Sequence, residues 1–425
     1  MASTSKQYSC LMLGYSGFSN TGSEARVVTI IDDIRSALGK DVSITIATPA
    51  PEKTARILPE GSHVKLARFP FVFPLAVFRM VLRHDIVFLV EGSTFQQNWS
   101  CALLYFFLWG AWCASILGKK CVAYAVDAGE LSPVNRRLTR HVCNRMDLLI
   151  TRTERARERL RSIGVTKPIH ANTDTAFTFV PDTTTEMAAS ASPRRTVGVA
   201  PIEFYQWPVR LRLTGPADEC FHWPYYYTWT DERRRASRQM IGYYSTLVRH
   251  CIDQHGCDVV LIAMEELDTR ICEDILSRME PAHRNRIRLA YSKALPPDQM
   301  VPLLRHLDYL VTSRYHACVL SMKTAVPQMA VGHDDRLQSV YGELGISDFL
   351  LNYADANLGR KITVVFDRLV AQADKVKALL QEKHDTYYMP KCLQNRADLR
   401  TWAEEALQQR AIGASLGVRE ETGNA

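Results

Sequence analysis

Several signatures that would settle the class of this chain at once are missing from it. No C-x-x-C pair occurs, and the 11 cysteines are an odd number scattered from Cys10 to Cys392. That excludes an obvious zinc ribbon, a thioredoxin-type motif and a small disulfide scaffold, and it points to a reducing cytoplasm. No H-E-x-x-H, EF-hand loop or His/Cys cluster is present. Gly332–Arg336 (GHDDR) is an ordinary polar loop, so no metal is assigned. A large charge excess is missing too. The 52 Lys and Arg against 45 Asp and Glu leave +7. This excludes a polycation that wraps nucleic acid but permits local anion-binding pockets. The N-terminal apolar run Cys10–Leu13 is too short for the core of a signal peptide. One long uncharged run exists, the 18 residues Cys101–Gly118. It sits at the lower edge of a spanning helix. Strand-like apolar segments flank it, so a buried helix of a doubly wound domain is the expectation, with membrane insertion as the alternative.

What is present is an ordinary globular composition in a chain of 425 residues, 47% apolar and 23% charged. This length corresponds to about two or three domains. Apolar strand patterns alternate with helical ones: Ser9–Leu13, Val42–Ala47, Asp85–Val90, Lys120–Val126 and Leu148–Thr151 in the first half, then Thr196–Ala200, Asp258–Met264, Tyr309–Thr312 and Pro327–Val331 in the second. Such alternation is the signature of parallel sheets flanked by helices. Pro181–Pro193, rich in Thr, Ser, Ala and Pro, reads as a linker. The expected organisation is an α/β domain over 1–180, a linker over 181–193, a second α/β domain over 194–355, helices over 356–412 and a flexible tail over 413–425.

Ligands of open parallel sheets bind beyond the carboxyl ends of the strands, and three segments stand there. Gly14–Glu24 (GYSGFSNTGSE) joins a strand to a helix whose free N–H groups suit an anion. Its spacing is neither a dinucleotide fingerprint nor a P-loop, and the plain alternative is a structural turn capped by Ser23. Thr312–Ala317 (TSRYHA) places Arg314, which can fork onto a phosphate or carboxylate, beside His316, which can move a proton near neutral pH. Phe204–Trp229 holds nine aromatics, with prolines and glycine that argue against a regular element. These aromatics suit the flat face of a sugar, or else pack as a loop core. Phe69–Leu82 (FPFVFPLAVFRMVL) reads as internal packing, with a membrane-surface segment as the alternative.

Taken in order, these motifs resemble the polysaccharide pyruvyltransferase family over roughly residues 9–352. The family's N-x-G-D-E-A is similar to Asn20–Ala25, with Ser23 in place of the aspartate. An arginine before a helix that runs to Gly-Val matches Arg152 through Gly164–Val165. Its D-x-A-F matches Asp174–Phe177, and its arginine–apolar–histidine–alanine matches Arg314–Ala317. Arg336 stands where a lysine is usual, Glu91–Gly92–Ser93 where a glycine triplet is usual, and Ala128–Gly129–Glu130 where Ile-Gly-Pro is common.

The resemblance implies a GT-B-like fold, with two tandem Rossmann-like doubly wound domains facing a cleft and C-terminal helices packing back on the first. It implies transfer of pyruvate from phosphoenolpyruvate to a sugar, glycan or lipid-linked saccharide as a ketal, with no cofactor and no metal. Carried over residue by residue, His316, Arg314 and Glu24 are the catalytic candidates. Ser313, Arg314, Tyr315, His316 and Arg336 are assigned to the donor. Asn20, Gly22, Glu91, Tyr205, Trp207, Trp223 and Tyr225 are assigned to the acceptor, and Asp174 and Arg152 to organising the cleft. A GT-B glycosyltransferase using a nucleotide sugar and a non-catalytic binding protein of the same fold are the alternatives. No nucleic-acid partner is expected. The expected location is the cytoplasm, with peripheral contact at the inner face of the membrane left open.

Overall fold

A computed structural model describes residues 8–58, 61–70, 72–97, 101–182, 193–332 and 335–420. Among the described residues sixteen strands fall into three sheets. The first sheet holds β1 (Ser9–Leu13), β2 (Ser43–Thr48), β3 (Lys65–Arg68), β4 (Ile86–Leu89), β5 (Lys120–Val126), β6 (Leu148–Thr151) and β7 (His170–Ala171). It runs parallel throughout in the order β3-β2-β1-β4-β5-β6-β7. The second half begins with β8 (Thr196–Ala200), followed by β9 (Val209–Leu211), β10 (Cys220–His222) and β11 (Tyr225–Tyr227). It continues with β12 (Asp258–Ala263), β13 (Ile287–Tyr291), β14 (Tyr309–Thr312), β15 (Gln328–Gly332) and β16 (Leu350–Asn352). Its main sheet, β13-β12-β8-β14-β15-β16, is also all parallel. The central strands are apolar because helices cover both faces: every residue of β4, β6, β8, β14 and β15 is buried. Strand order reverses between β1 and β4 in one sheet and between β8 and β14 in the other. Those switch points open a crevice at the carboxyl ends.

The two halves are joined by more than the chain. The helix Thr21–Leu38 belongs to the first sheet, yet Ala25 is part of the second half's core. The Thr21 N–H donates to the Met264 carbonyl oxygen at 2.9 Å, beyond β12. From the other side the C-terminal helix Met389–Glu420 packs back on the first half: Arg396 Nε donates to Asp33 Oδ1 at 2.7 Å, and Leu399 enters the first core. This return packing is the arrangement that the resemblance implies.

Four details differ from the sequence reading. Asn20, and not Ser23, caps the first helix, its Oδ1 accepting the Ser23 N–H at 3.1 Å. The segment read as irregular, Phe204–Trp229, contains the antiparallel sheet β10-β11-β9, on which Trp207, Phe221 and Tyr227 cluster. The helix that ends the chain runs to Glu420, through part of the expected tail. The helix Cys101–Ile116 is buried on one side only: Leu104, Phe106, Phe107 and Leu108 are inside, while Tyr105, Trp112 and Ile116 face out. Most of the linker, residues 183–192, and the last five residues lie outside the described residues. Among the described residues no helix is long and apolar enough to cross a membrane.

Candidate active site between the two sheets

A cavity of about 230 Å³ lies at the carboxyl ends of both parallel sheets. From the first half come Tyr15, Asn20 and Ser23, beyond β1, and Glu91, Ser93 and Gln96, beyond β4. From the second come Glu265, beyond β12, Ser313–His316, beyond β14, and Arg336. Val209, Phe221 and Tyr225 of the small antiparallel sheet, with Trp207 just before β9, close one side, and Phe69, Phe73 and Phe106 form an apolar wall. Trp207 meets Phe221 and Tyr227 edge-on at 5.5 and 5.7 Å. Aromatics at such a site offer flat apolar faces between polar groups that fix orientation.

Beneath His316 lies a buried charge cluster. Asp174 is fully buried; its Oδ2 accepts from Arg152 Nη1 at 2.7 Å, and its Oδ1 is 3.2 Å from Arg26 Nε. Arg152 Nε also donates to Asp127 Oδ2 at 3.0 Å, and its guanidinium lies 4.8 Å over the Tyr315 ring. Arg26 Nη2 donates to the Ala125 carbonyl oxygen at 2.7 Å. That carbonyl is turned by a bulge in β5, where Ala125 takes the left-handed backbone (φ 52°). Burial alone would raise the Asp174 carboxyl, but Arg26, His316 and Arg152 outweigh it and hold it well below the usual range. His316 Nε2 sits 3.6 Å from Asp174 Oδ2. Burial lowers the His316 pKa, with Asp174 working against that and the two arginines adding to it. At neutral pH the ring is therefore neutral and able to accept a proton.

Two glycines are required by close approach. A Cβ on Gly22 would stand 2.0 Å from His316 Cγ, so the first helix reaches the imidazole of the other half with bare backbone. A Cβ on Gly92 would stand 2.4 Å from Arg152 Nη1. Within Glu91–Gly92–Ser93, Gly92 is thus the position where the buried arginine passes.

Arg314 lines the cavity, but its charge is committed. Its Nε donates to Asp268 Oδ2 at 2.8 Å, its Nη2 contacts Asp268 Oδ1, and its Nη1 lies 2.9 Å from Glu265 Oε2. Glu265 also accepts from Tyr15 Oη at 3.1 Å, which ties the β1 loop to the β12 loop across the crevice. Burial drives Asp268 up, and Arg314 only partly offsets it, leaving the carboxyl at about 6. Glu91 Oε2 accepts from the Tyr15 N–H at 3.2 Å and from Ser23 Oγ at 3.3 Å.

The structure therefore brings Asn20, Glu91, Trp207, Tyr225, Ser313, Arg314, Tyr315, His316 and Arg336 to one cavity. Asp174 and Arg152 stand behind it, and Gly22 backs the imidazole. Glu24 is placed elsewhere. It is 2% exposed, does not line the cavity, and points toward Arg56, whose Nη2 is 3.8 Å away. One step along a helix turns a side chain by about 100°, so Ser23 faces the cavity and Glu24 does not. Tyr205 and Trp223 also lie off the wall: Arg233 holds the Tyr205 carbonyl, and Trp223 is exposed. Sequence reasoning missed Tyr15, Glu265, Asp268, Arg26 and Asp127. The strand-end rule alone could have flagged Glu265 and Asp127, which follow β12 and β5. Among the described residues, one group could hold a metal ion, His250, His255 and Asp367, and none of them lines the cavity.

The sequence model of the polysaccharide pyruvyl transferase family matches residues 20–335. No curated protein matches the chain. Among solved structures, a candidate UDP-N-acetylglucosamine 2-epimerase from Listeria monocytogenes superposes with a TM-score of 0.60 at 14% identity, covering 94% of this chain and 98% of that one. S. aureus MnaA, in a co-structure with UDP, gives 0.57 at 11%, covering 89% and 91%. Anabaena Alr3699/HepE in complex with UDP gives 0.52 at 14%, covering 94% and 100%. At these identities the likeness is one of fold, the GT-B-like pair of α/β domains.

Proposed function

Because this chain belongs to the polysaccharide pyruvyl transferase family, we propose that it moves the pyruvyl group of phosphoenolpyruvate onto two hydroxyls of a sugar in the cavity between its sheets. The first sugar oxygen bonds to C2 of the enol while a proton goes to the methylene carbon, making the methyl group. The second sugar oxygen then bonds to the same carbon, the C2–O bond to phosphate breaks, and the hydroxyl proton leaves with the phosphate. The products are the cyclic ketal and inorganic phosphate.

The reading is carried by one observation: His316 lies on the cavity wall with Asp174 behind it and a lowered pKa. A neutral imidazole biased by a carboxylate is suited to take a proton from a sugar hydroxyl. Asp174, itself held by Arg26 and Arg152, acts through His316 as a positioning residue. Arg336 and the Ser313–His316 turn receive the anionic end of the donor. Arg314 is better suited to fixing Glu265 and Asp268 than to clamping the donor, since both carboxylates already engage it. The aromatic side, Trp207 and Tyr225, is assigned to the sugar, and Glu91 to its hydroxyls.

The test is phosphate release from phosphoenolpyruvate with a panel of sugars and glycans carrying neighbouring hydroxyls. Release that needs an acceptor and is lost in His316→Ala and Arg336→Ala supports the reading. Thermal stabilisation by nucleotide sugars but not by phosphoenolpyruvate would overturn it in favour of a glycosyltransferase. Stabilisation by phosphoenolpyruvate with no turnover on any acceptor would leave a binding protein instead.

A further inference from the structure

The apolar segment that walls the cavity has an outer side, and among the described residues nothing covers that side. Phe69 stacks on Phe106 at 4.9 Å and Phe73 meets the same ring edge-on at 5.2 Å, all three facing the cavity. On the far side of the same stretch Val72 and Leu75 are 75% and 60% exposed. Trp109 Nε1 donates to the Pro74 carbonyl oxygen at 2.8 Å, which joins this stretch to the helix Cys101–Ile116. Along that helix Tyr105, Trp109, Trp112 and Ile116 recur at steps of four, three and four, so they form one outward stripe. Trp109 and Trp112 touch at 5.2 Å between ring centres. Leu82 extends the exposed apolar surface along the helix Pro74–Leu82.

Charge is distributed around this patch and not within it. The helix Cys101–Ile116 carries no charged residue. The helix Pro74–Leu82 carries Arg79, with Arg83 just beyond, and no acid. Lys119 follows the uncharged helix, while Lys120 beside it is paired with Asp147 at 2.7 Å. Beside its first turn, where Asn135 Nδ2 lies 3.9 Å from Cys101 Sγ, the helix Pro133–Cys143 presents Arg136, Arg137 and Arg140 with exposed Val134 and Leu138, and again no acid. An apolar stripe with interfacial aromatics and a rim in which Arg79, Arg83, Lys119, Arg136, Arg137 and Arg140 outnumber the acids is complementary to an anionic lipid surface: the apolar residues enter the acyl boundary and the rim meets headgroup phosphates. The helix Cys101–Ile116 has 16 residues, short of what spanning requires, so it would lie on the surface and not cross it.

We propose that this face of the first domain docks on the anionic surface of a bilayer, through Val72, Leu75, Tyr105, Trp112 and Ile116 with Arg79 and Arg137 at its rim. The proposal does not depend on the reaction assigned to the cavity. It is tested by sedimentation of the full chain with vesicles of phosphatidylcholine alone and with phosphatidylglycerol added. Recovery with the anionic vesicles, falling as salt is raised, is the expected result. The double variant Leu75→Ser/Trp112→Ser and, separately, Arg79→Glu/Arg137→Glu should each weaken binding by about tenfold or more. Arg79 and Arg137 are exposed, so the charge variant should leave the melting midpoint unchanged, and the apolar variant should lower it only slightly, since Trp112 gives up its contact with Trp109. Wild-type protein left in the supernatant with both vesicles, or variants that bind as tightly as wild type, would overturn the proposal. So would a dimer in sedimentation velocity that Leu75→Ser/Trp112→Ser dissolves without any effect on vesicle binding, which would assign the face to a second copy of the chain.

Discussion

Two buried arginine clusters border the cavity, built from the same residue types and tuned in opposite directions. Behind His316, Arg26 and Arg152 share Asp174 and Asp127, two cations for two anions. Across the cavity Arg314 alone serves Asp268 and Glu265, one cation for two anions. Burial pushes both aspartates toward the neutral form. In the first cluster the cations win and Asp174 lies well below the usual range; in the second they do not, and Asp268 rises to about 6. With both carboxyls buried, the direction of each shift is set by the cations and hydrogen bonds beside it: Arg26, His316 and Arg152 at Asp174, Arg314 at Asp268. One cluster is a fixed pair of charges that biases an imidazole; the other can take up a proton.

That contrast orders the expected effects. Arg152→Met should be the most damaging change. It strips a cation from Asp127 and Asp174, and breaking such a buried pair costs roughly 3–5 kcal/mol; urea denaturation would measure it. A loss no larger than that of a surface substitution would mean that Asp127 and Asp174 do not depend on Arg152 for their charge balance. Next come changes that leave the charges alone but move the ring they act on. Gly22→Ala should cut phosphate release by on the order of a hundredfold, the scale expected for a misplacement of about 1 Å, with binding of phosphoenolpyruvate much less affected.

Arg314→Met probes the second cluster. It should destabilise less than Arg152→Met, because Asp268 can protonate, and its cost should shrink as pH falls toward about 6, below which Asp268 is neutral with or without the arginine. An equal cost at all pH values would erase the distinction between the clusters. The Asp268 carboxyl has a folded pKa above its ordinary 3.8, so its stabilising contribution is complete below 3.8 and is lost as pH rises through about 6. Asp268→Asn should flatten the stability profile in that window. The smallest effect belongs to Glu24. Burial raises its pKa from 4.5 to about 7 against the pull of Arg56 and Lys53. Its contribution is present below 4.5 and lost by about 7, so Glu24→Gln should raise the melting midpoint above pH 7 and leave it unchanged in acid. Because Glu24 is off the cavity wall, the same change should leave phosphate release within a few-fold of wild type; loss of turnover would return it to the chemistry.

Much of the fold was legible because strand and helix periodicity are local. Ser9–Leu13, Lys120–Val126, Leu148–Thr151, Thr196–Ala200 and Tyr309–Thr312 are strands as their apolar patterns imply. The strand-end rule also pointed to Ser313–His316 and Asn20, which line the cavity, since a parallel sheet fixes where such loops gather. What it did not reveal was partnership. Arg314 looks in the sequence like an anion clamp, and only the β12 loop folding beside it supplies Asp268 and Glu265. Trp223 and Trp207 are equally aromatic and close in sequence, yet the turn between β10 and β11 leaves Trp223 in solvent while Trp207 faces the cavity. The uncharged run Cys101–Gly118 reads in the sequence as a buried helix or a membrane insertion, and its outward aromatic stripe shows only once the neighbours on its other side are known.

The sequence by itself determined two parallel-sheet domains, the loops at their carboxyl ends and the family to which their motifs point, because side-chain period and strand-end chemistry are written in short stretches of chain. Tertiary structure alone decided which charges are neutralised, which glycine must yield to an imidazole and which face of an apolar helix stays bare. Those properties depend on groups brought from both halves of the chain into a low-dielectric crevice, where distance and burial set the energies.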